Sequence, residues 1–249
     1  MPQSYERNGF YMKKIICENY SDMSSAAADI IAEQLSDKPN SVFGLATGST
    51  PVGLYQELVR RYNEGKIDFS KAISFNLDEY YPIKSNHPQS YNMFMKENLF
   101  NHVNFLSTDI LNGEADNPTA ECLRYDEAID TAGGIDIQIL GIGFNGHIGF
   151  NEPSTVYSLN AHLENLTQST LEANSRFFDE GENQPTESLT VGFGTIFKAK
   201  KVLLLISGAA KAEIAKKLFE NKIYVDMPAS LLHLHPNVTV IMDKDAVSD

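Results

Sequence analysis

The sequence predicts an α/β fold: a single domain on an open, mostly parallel sheet with helices on both faces. Three observations carry this reading. Short apolar runs alternate with helix-patterned segments along the whole chain, the signature of βαβ units joined by right-handed crossovers. The run "IDIQILGIG" reads as a strand apolar on both faces, as expected of a buried parallel strand. The 249 residues show no internal repeat and no Pro/Ser-rich linker, a length at which one large domain buries a full core.

The elements follow in order. "KKIIC" reads as the first strand. "SDMSSAAADIIAEQLSDKP" offers Ser and Asp caps, an apolar face through Ala27, Ile30, Ile31 and Leu35, and a terminating Pro39. "SVFGLA" is a second strand and Pro51 to about Asn63 a second helix; "AISFNL" is a third strand. "QSYNMFMKENLFNHV" and "PTAECLRYDEAIDTA" read as helices, and "IDIQILGIG" as the buried strand after them. "KKVLLLISG", the helix "AAKAEIAKKLFE" and the strand "NVTVIMD" complete the pattern. The stretch from about Leu166 to Leu189, with "FFDEGENQPTES", is polar and irregular, as expected of a mobile lid. Residues 1–11 are polar without the apolar centre of a secretory signal, and Met12 followed by "KKIICENY" resembles a start. The first eleven residues are therefore read as a leader or appended segment, and residues 12–249 as the domain.

Ligands of open parallel sheets bind beyond the carboxyl ends of the strands, so the polar residues that follow each strand are the candidates. "GLATGSTP" runs from a strand through Gly48, Ser49 and Thr50 to a Pro suited to the first turn of a helix. Small residues ahead of a helix N-terminus present free N–H groups and hydroxyls to an anion, although no Lys completes a Walker A loop. "FNLDEYYP" places Asp78 and Glu79 directly after an apolar strand. A carboxylate there is a turn former or, if partly desolvated, a general base; Tyr80 and Tyr81 could supply the apolar cover. "GIGFNGHIGFNEP" sets Asn145, His147 and Glu152 among four glycines at the end of the buried strand. A His beside a carboxylate is oriented and made a better base, and it changes charge near neutral pH.

Composition narrows the class. With 20 basic against 33 acidic residues the formal net charge is −13, which argues against nucleic acid and anionic membranes as partners. An anionic substrate would need a local set of donors, because the overall field repels it. No apolar run reaches 18 residues, so no transmembrane helix is expected. Cys17 and Cys122 lie far apart, outside any CxxC or Cys/His cluster, so neither a disulfide framework nor a zinc site is expected. The expected location is the cytoplasm.

From about Met12 to the C-terminus the chain resembles the glucosamine-6-phosphate deaminase family. The runs that carry the resemblance are "GLATGSTP", "FNLDEYYPIKSNHPQSYNMFM", "LGIGFNGHIGFNEP", "ANSRFF" and "LHPNVTVI". It implies a modified doubly wound, Rossmann-like fold, no metal and no organic cofactor, and conversion of glucosamine 6-phosphate and water to fructose 6-phosphate and ammonia in amino-sugar catabolism. It further implies that Asp78 moves the C2 proton to C1, that His147 opens the pyranose ring, and that Glu152 pairs with that His. Gly48, Ser49 and Thr50, with Arg176 and Lys211, would hold the phosphate and so meet the charge problem. Two departures stand out. Some members carry an Asp where this chain has Asn145, so Glu152 is the only carboxylate left to the ring-opening set. Larger hexameric members are activated by N-acetylglucosamine 6-phosphate through basic residues shortly after "NEP" and a C-terminal extension. Here that stretch offers His162 and the acidic Glu164, so a monomer without such activation is expected. Three other readings compete: a 6-phosphogluconolactonase-like hydrolase, which would need no α-proton abstraction, a ketose/aldose isomerase that keeps its amine or hydroxyl, and a non-catalytic sugar-phosphate sensor. Whether Glu79 and Tyr80 touch the sugar or merely pack is left open.

Overall fold

The computed structural model describes residues 4–7, 10–175, 178 and 183–247. In chain order the elements begin with β1 (Ser4–Arg7), β2 (Phe10–Cys17), α1 (Tyr20–Asp37), β3 (Val42–Leu45), α2 (Val52–Asn63), β4 (Ile73–Asn76) and β5 (Asp78–Tyr81). There follow α3 (Tyr91–Met95), prolonged by a π-helical turn over Lys96–Phe100, β6 (Ser107–Asp109), α4 (Pro118–Thr131) and β7 (Ile137–Leu140). The last are β8 (His162–Asn165), α5 (Gln168–Ser175), β9 (Glu187–Thr190), α6 (Phe193–Lys198), β10 (Lys201–Ile206), α7 (Ala212–Leu218) and β11 (Asn237–Asp243).

The main sheet has the order β1-β2-β11-β10-β7-β3-β4-β6 and is parallel throughout except for the β1/β2 hairpin at its edge. β3 leads outward through β4 to β6, whereas β7 leads the other way through β10 to β11. The direction of winding therefore reverses between β3 and β7, which pair through Phe43–Ile137 and Gly44–Gln138. Right-handed crossovers on either side of that reversal place α1 to α3 on one face and α4, α6 and α7 on the other. The loops leaving β3 and β7 diverge from there, and a crevice opens beyond the strands' carboxyl ends.

Sequence patterning accounts for most of this. β3, β7 and β11 are almost wholly buried, and β10 is buried after its first residue. The apolar reading of "IDIQILGIG" needs one correction: its second face carries Asp136 and Gln138, both buried. Asp136 accepts from the Val42 N–H and pairs with Lys38 and Lys200, so its charge is compensated. A Cβ on Gly44 would come within 2.1 Å of the Gln138 side chain, so any larger residue there would displace this buried amide. Helix α1 is capped two to three residues earlier than the Ser and Asp suggested, by Asn19 accepting from the Asp22 N–H at 2.9 Å. α4 begins as read, with Asn117 as cap and Pro118 in the first turn. β2 starts at Phe10 and pairs with β1, so the sheet reaches into the segment set aside as a leader.

A second sheet escaped the sequence reading. β5, β9 and β8 form an antiparallel three-stranded sheet in the order β5-β9-β8. Its strands are short and polar ("DEYY", "HLEN", "ESLT") and show no run of apolar residues to mark them. Two of its strands bear on the expected lid: Leu166 bonds to Thr186 beside β8, and β9 begins at Glu187. The segment opens with α5 rather than with irregular chain.

Candidate active site

The crevice between β3 and β7 holds a cavity of about 220 Å³. Three strand ends line it: Ala46 to Thr50 after β3, Leu77 and Asp78 where β4 passes into β5, and Gly141 to Phe150 after β7. Tyr91 of α3, four residues of α5 and Lys211 complete the wall. The sequence candidates Gly48, Ser49, Thr50, Asp78, Asn145, His147 and Lys211 thus share one cavity. Glu152 stands behind His147, and Arg176 lies outside the described residues.

After β3, the chain turns through Gly48 at φ +90 and enters α2 from Pro51 without a side-chain cap. No acidic residue occupies the first turn, so the positive end of the helix dipole is left open to an anion, with only the Gly53 N–H taken by a side chain. Tyr20 steadies the turn by accepting from the Gly53 N–H at 2.7 Å, while its hydroxyl reaches the carbonyls of Ser49 and Thr50 at 3.1 Å. Lys211 is the only lysine or arginine among the described lining residues, and its Nζ sits 3.4 Å from the Phe144 ring centroid. Its loop is fixed from below. The buried Asp243 carboxylate accepts from the Gly208 N–H at 3.0 Å and from the Ser207 hydroxyl, and the Lys211 N–H returns to the Gly208 carbonyl.

Asp78 is the first residue of β5 and is 5% exposed. Burial first, and then the neighbouring Glu79, push its carboxyl up to about 8, against a hydrogen bond from the Phe150 backbone. Tyr80 lies on the same face of the strand and packs against Tyr91 and Phe150 at 4.9 and 5.5 Å, which supplies the apolar cover anticipated for Asp78. Tyr81 supplies none: strand alternation turns it to the opposite face, where its hydroxyl donates to the Ala115 carbonyl. Gly149, at φ +57, brings the third strand end against this carboxyl, since a Cβ there would lie 3.4 Å from Asp78 Oδ2.

The glycines of the third strand end have specific work. A Cβ on Gly143 would lie 2.3 Å from the His147 ring, so the imidazole rests directly on the Gly143 backbone. His147 Nδ1 is buried, has no hydrogen-bond partner among the described residues, and faces Glu152 Oε2 at 3.5 Å. Asn145 joins the two residues: its amide nitrogen donates to Glu152 Oε2 at 2.8 Å and its oxygen accepts from the His147 backbone N–H at 3.1 Å. The Thr170 hydroxyl donates to Glu152 Oε1. Burial raises the Glu152 carboxyl, but the imidazole, Thr170 and Asn145 outweigh it and hold the group at about 2. An ionised carboxylate therefore stands behind a half-buried imidazole whose outer edge lines the cavity.

Sequence reading missed the contributions of Thr170, Ser169, Asn174 and Tyr91. The first three come from α5, which the reading treated as lid. They anchor it: Thr170 to Glu152, Ser169 to Asn145 at 3.4 Å, and Asn174 to the Tyr80 hydroxyl at 2.9 Å. Polar residues in a polar segment carry no signal of burial; only the four-residue helical spacing of Thr170 and Asn174 could have hinted at one. Among the described residues no cluster of three or more His, Cys, Asp or Glu is arranged to hold a metal, and no helix is long and apolar enough to cross a membrane.

Comparison with known proteins agrees with this geometry. Residues 18–241 match the model for glucosamine-6-phosphate isomerases/6-phosphogluconolactonase. The chain is 55% identical to glucosamine-6-phosphate deaminase of Clostridium tetani over 94% of its own length and 98% of the relative's. It is 51% identical to the Thermoanaerobacter pseudethanolicus protein of the same name, over 95% and 94% of the two chains. A solved monomeric glucosamine-6-phosphate deaminase superposes with a TM-score of 0.89 at 44% identity, over 94% of this chain and 98% of that one.

Proposed function

We infer that the chain, which belongs to the glucosamine-6-phosphate isomerase/6-phosphogluconolactonase family, is a glucosamine-6-phosphate deaminase like the relatives it matches at 44–55% identity. It converts glucosamine 6-phosphate and water to fructose 6-phosphate and ammonia. The observation that carries this reading is one cavity that joins an anion-binding turn to a buried carboxyl and a carboxylate-backed imidazole. A lactone hydrolase has use for the imidazole but none for the buried Asp78.

The phosphate lies against Gly48, Ser49, Thr50 and the open end of α2, with Lys211 as a point charge on the opposite wall. Arg176 follows α5 in sequence and is assigned to the same dianion. Anchoring the phosphate, remote from the reacting carbons, orients the sugar. His147 takes the anomeric hydroxyl proton and returns a proton to the ring oxygen, which opens the ring to the aldehyde. Glu152 stabilises the imidazolium that forms between these steps, and Asn145 fixes the geometry of the pair without adding charge. Asp78 then removes the C2 proton and delivers it to C1. The double bond passes through the enolamine to an imine at C2, and water adds to the imine and expels ammonia. Burial serves this step by keeping Asp78 a strong enough base.

The protein acts as a monomer in the cytoplasm, in the catabolism of N-acetylglucosamine-derived sugars, without activation by N-acetylglucosamine 6-phosphate. Supporting the absence of activation, His162 is engaged by Glu164 at 3.1 Å, so the stretch after "NEP" presents no surplus positive charge. Incubation with glucosamine 6-phosphate should release ammonia and fructose 6-phosphate in equal amounts, hyperbolically in substrate and unchanged by the acetylated sugar. Hydrolysis of 6-phosphogluconolactone without ammonia release from the amino sugar would overturn the assignment.

A further inference from the structure

Beside the base stands a second buried carboxylate to which the reaction assigns nothing. Glu79 is 2% exposed, and its oxygens accept three backbone N–H bonds: from Tyr80 at 2.9 Å, Tyr91 at 2.8 Å and Asn92 at 3.0 Å. The last two belong to the first turn of α3, where Ser90 already accepts from the Met93 N–H at 3.1 Å. Two side chains thus cap one short helix, one local and one from β5. The cap from β5 comes from the residue next to the base.

What α3 delivers is Tyr91. Its ring stacks on Phe150 at 5.8 Å and 11°, packs on Tyr80, and lines the cavity with Asp78; its hydroxyl engages Tyr80 and Thr47. We propose that Glu79 is a positioning residue for proton transfer: its carboxylate clamps α3 to β5 and so sets the Tyr91 wall against the Asp78 carboxyl. This role rests on the deaminase reading above.

The clamp has an electrostatic consequence. Strand alternation turns Glu79 away from Asp78, yet its charge adds to the burial that raises Asp78. The ionisable groups around it are Asp78 and Tyr80 on its own strand and Tyr91 on α3, while β9 opposes it with the uncharged Leu189.

Two substitutions separate reach from charge. Glu79→Asp keeps the charge but is too short to hold both α3 donors. Its kcat should fall at least about tenfold, and Tyr91→Phe should then cost less in that background than in the wild type. Glu79→Gln keeps an acceptor but loses the charge, so the acid limb of kcat/KM should move to lower pH, which a merely structural residue would not cause. Should Glu79→Asp fail to fold, the Glu79→Gln profile decides alone. Folded variants with wild-type kcat, additive Tyr91→Phe effects and an unmoved acid limb would overturn the role of Glu79. Wild-type protein that releases no ammonia would instead overturn the functional reading itself.

Discussion

Replacing Asp78 by Asn is the sharpest test, because the structure ties a loss of activity to a gain of stability. The carboxyl is held at about 8 where an unfolded chain has it at 3.8. Between those values the folded state binds more protons than the unfolded one, so stability is fully present below about pH 4 and is lost as pH rises through 8. At 1.36 kcal/mol per pH unit the ceiling on this cost is about 6 kcal/mol. Relaxation and water entry around an ionised carboxylate reduce the realised figure to a few kcal/mol. Asn has the same shape and no charge. Asp78→Asn should therefore be more stable than wild type by about 2–4 kcal/mol at pH 9 and nearly equal to it at pH 4. Some pH dependence should persist in the variant, since Glu79, raised to about 7 chiefly by burial, still titrates. Urea denaturation at the two pH values reads the difference. Ammonia release by the same preparation should fall by about 10²–10⁴, the usual contribution of a general base. A variant with unchanged pH-dependent stability would refute the burial argument, and one retaining turnover within tenfold of wild type would refute the role of Asp78.

Three further outcomes follow from contacts around the site. Thr170→Val removes the hydroxyl that donates to Glu152; a hydrogen bond to a charged group is worth about 1.5–3 kcal/mol, so kcat should fall about 10- to 100-fold in a steady-state assay. Gly143→Ala places a methyl group 2.3 Å from the His147 ring. The imidazole must shift, and kcat should drop about 100-fold while circular dichroism stays native. Lys211→Met removes the described cation of the cavity. It should lower kcat/KM about 10- to 100-fold and weaken competitive inhibition by inorganic phosphate by a comparable factor.

Much of the site was legible because its residues sit where an α/β chain must expose them. Asp78 and His147 each follow an apolar run, and the carboxyl ends of parallel strands are where such sheets open. The glycines around His147 signalled close approach, and the structure gives the neighbour: the imidazole itself against Gly143. The partners of Glu152 were not legible. Thr170 and Asn145 are 25 residues apart, and only the docking of α5 brings both onto one carboxylate. Tyr81 was read as cover for Asp78 because adjacent tyrosines look alike in sequence; strand alternation separates them.

The sequence by itself determined the alternation of strands and helices and the strand ends at which chemistry collects. Local pattern encodes these, because apolar period and turn residues act within a few positions. Only the tertiary structure decided the second sheet, the anchoring of α5 and the electrostatic state of each carboxyl. Asp78 and Glu152 are both buried acids, yet one is held at about 8 and the other at about 2. The difference lies in the neighbours each meets across the fold. Asp78 is buried beside aromatic rings with a like charge next to it in the chain, and Glu152 faces an imidazole and two donors.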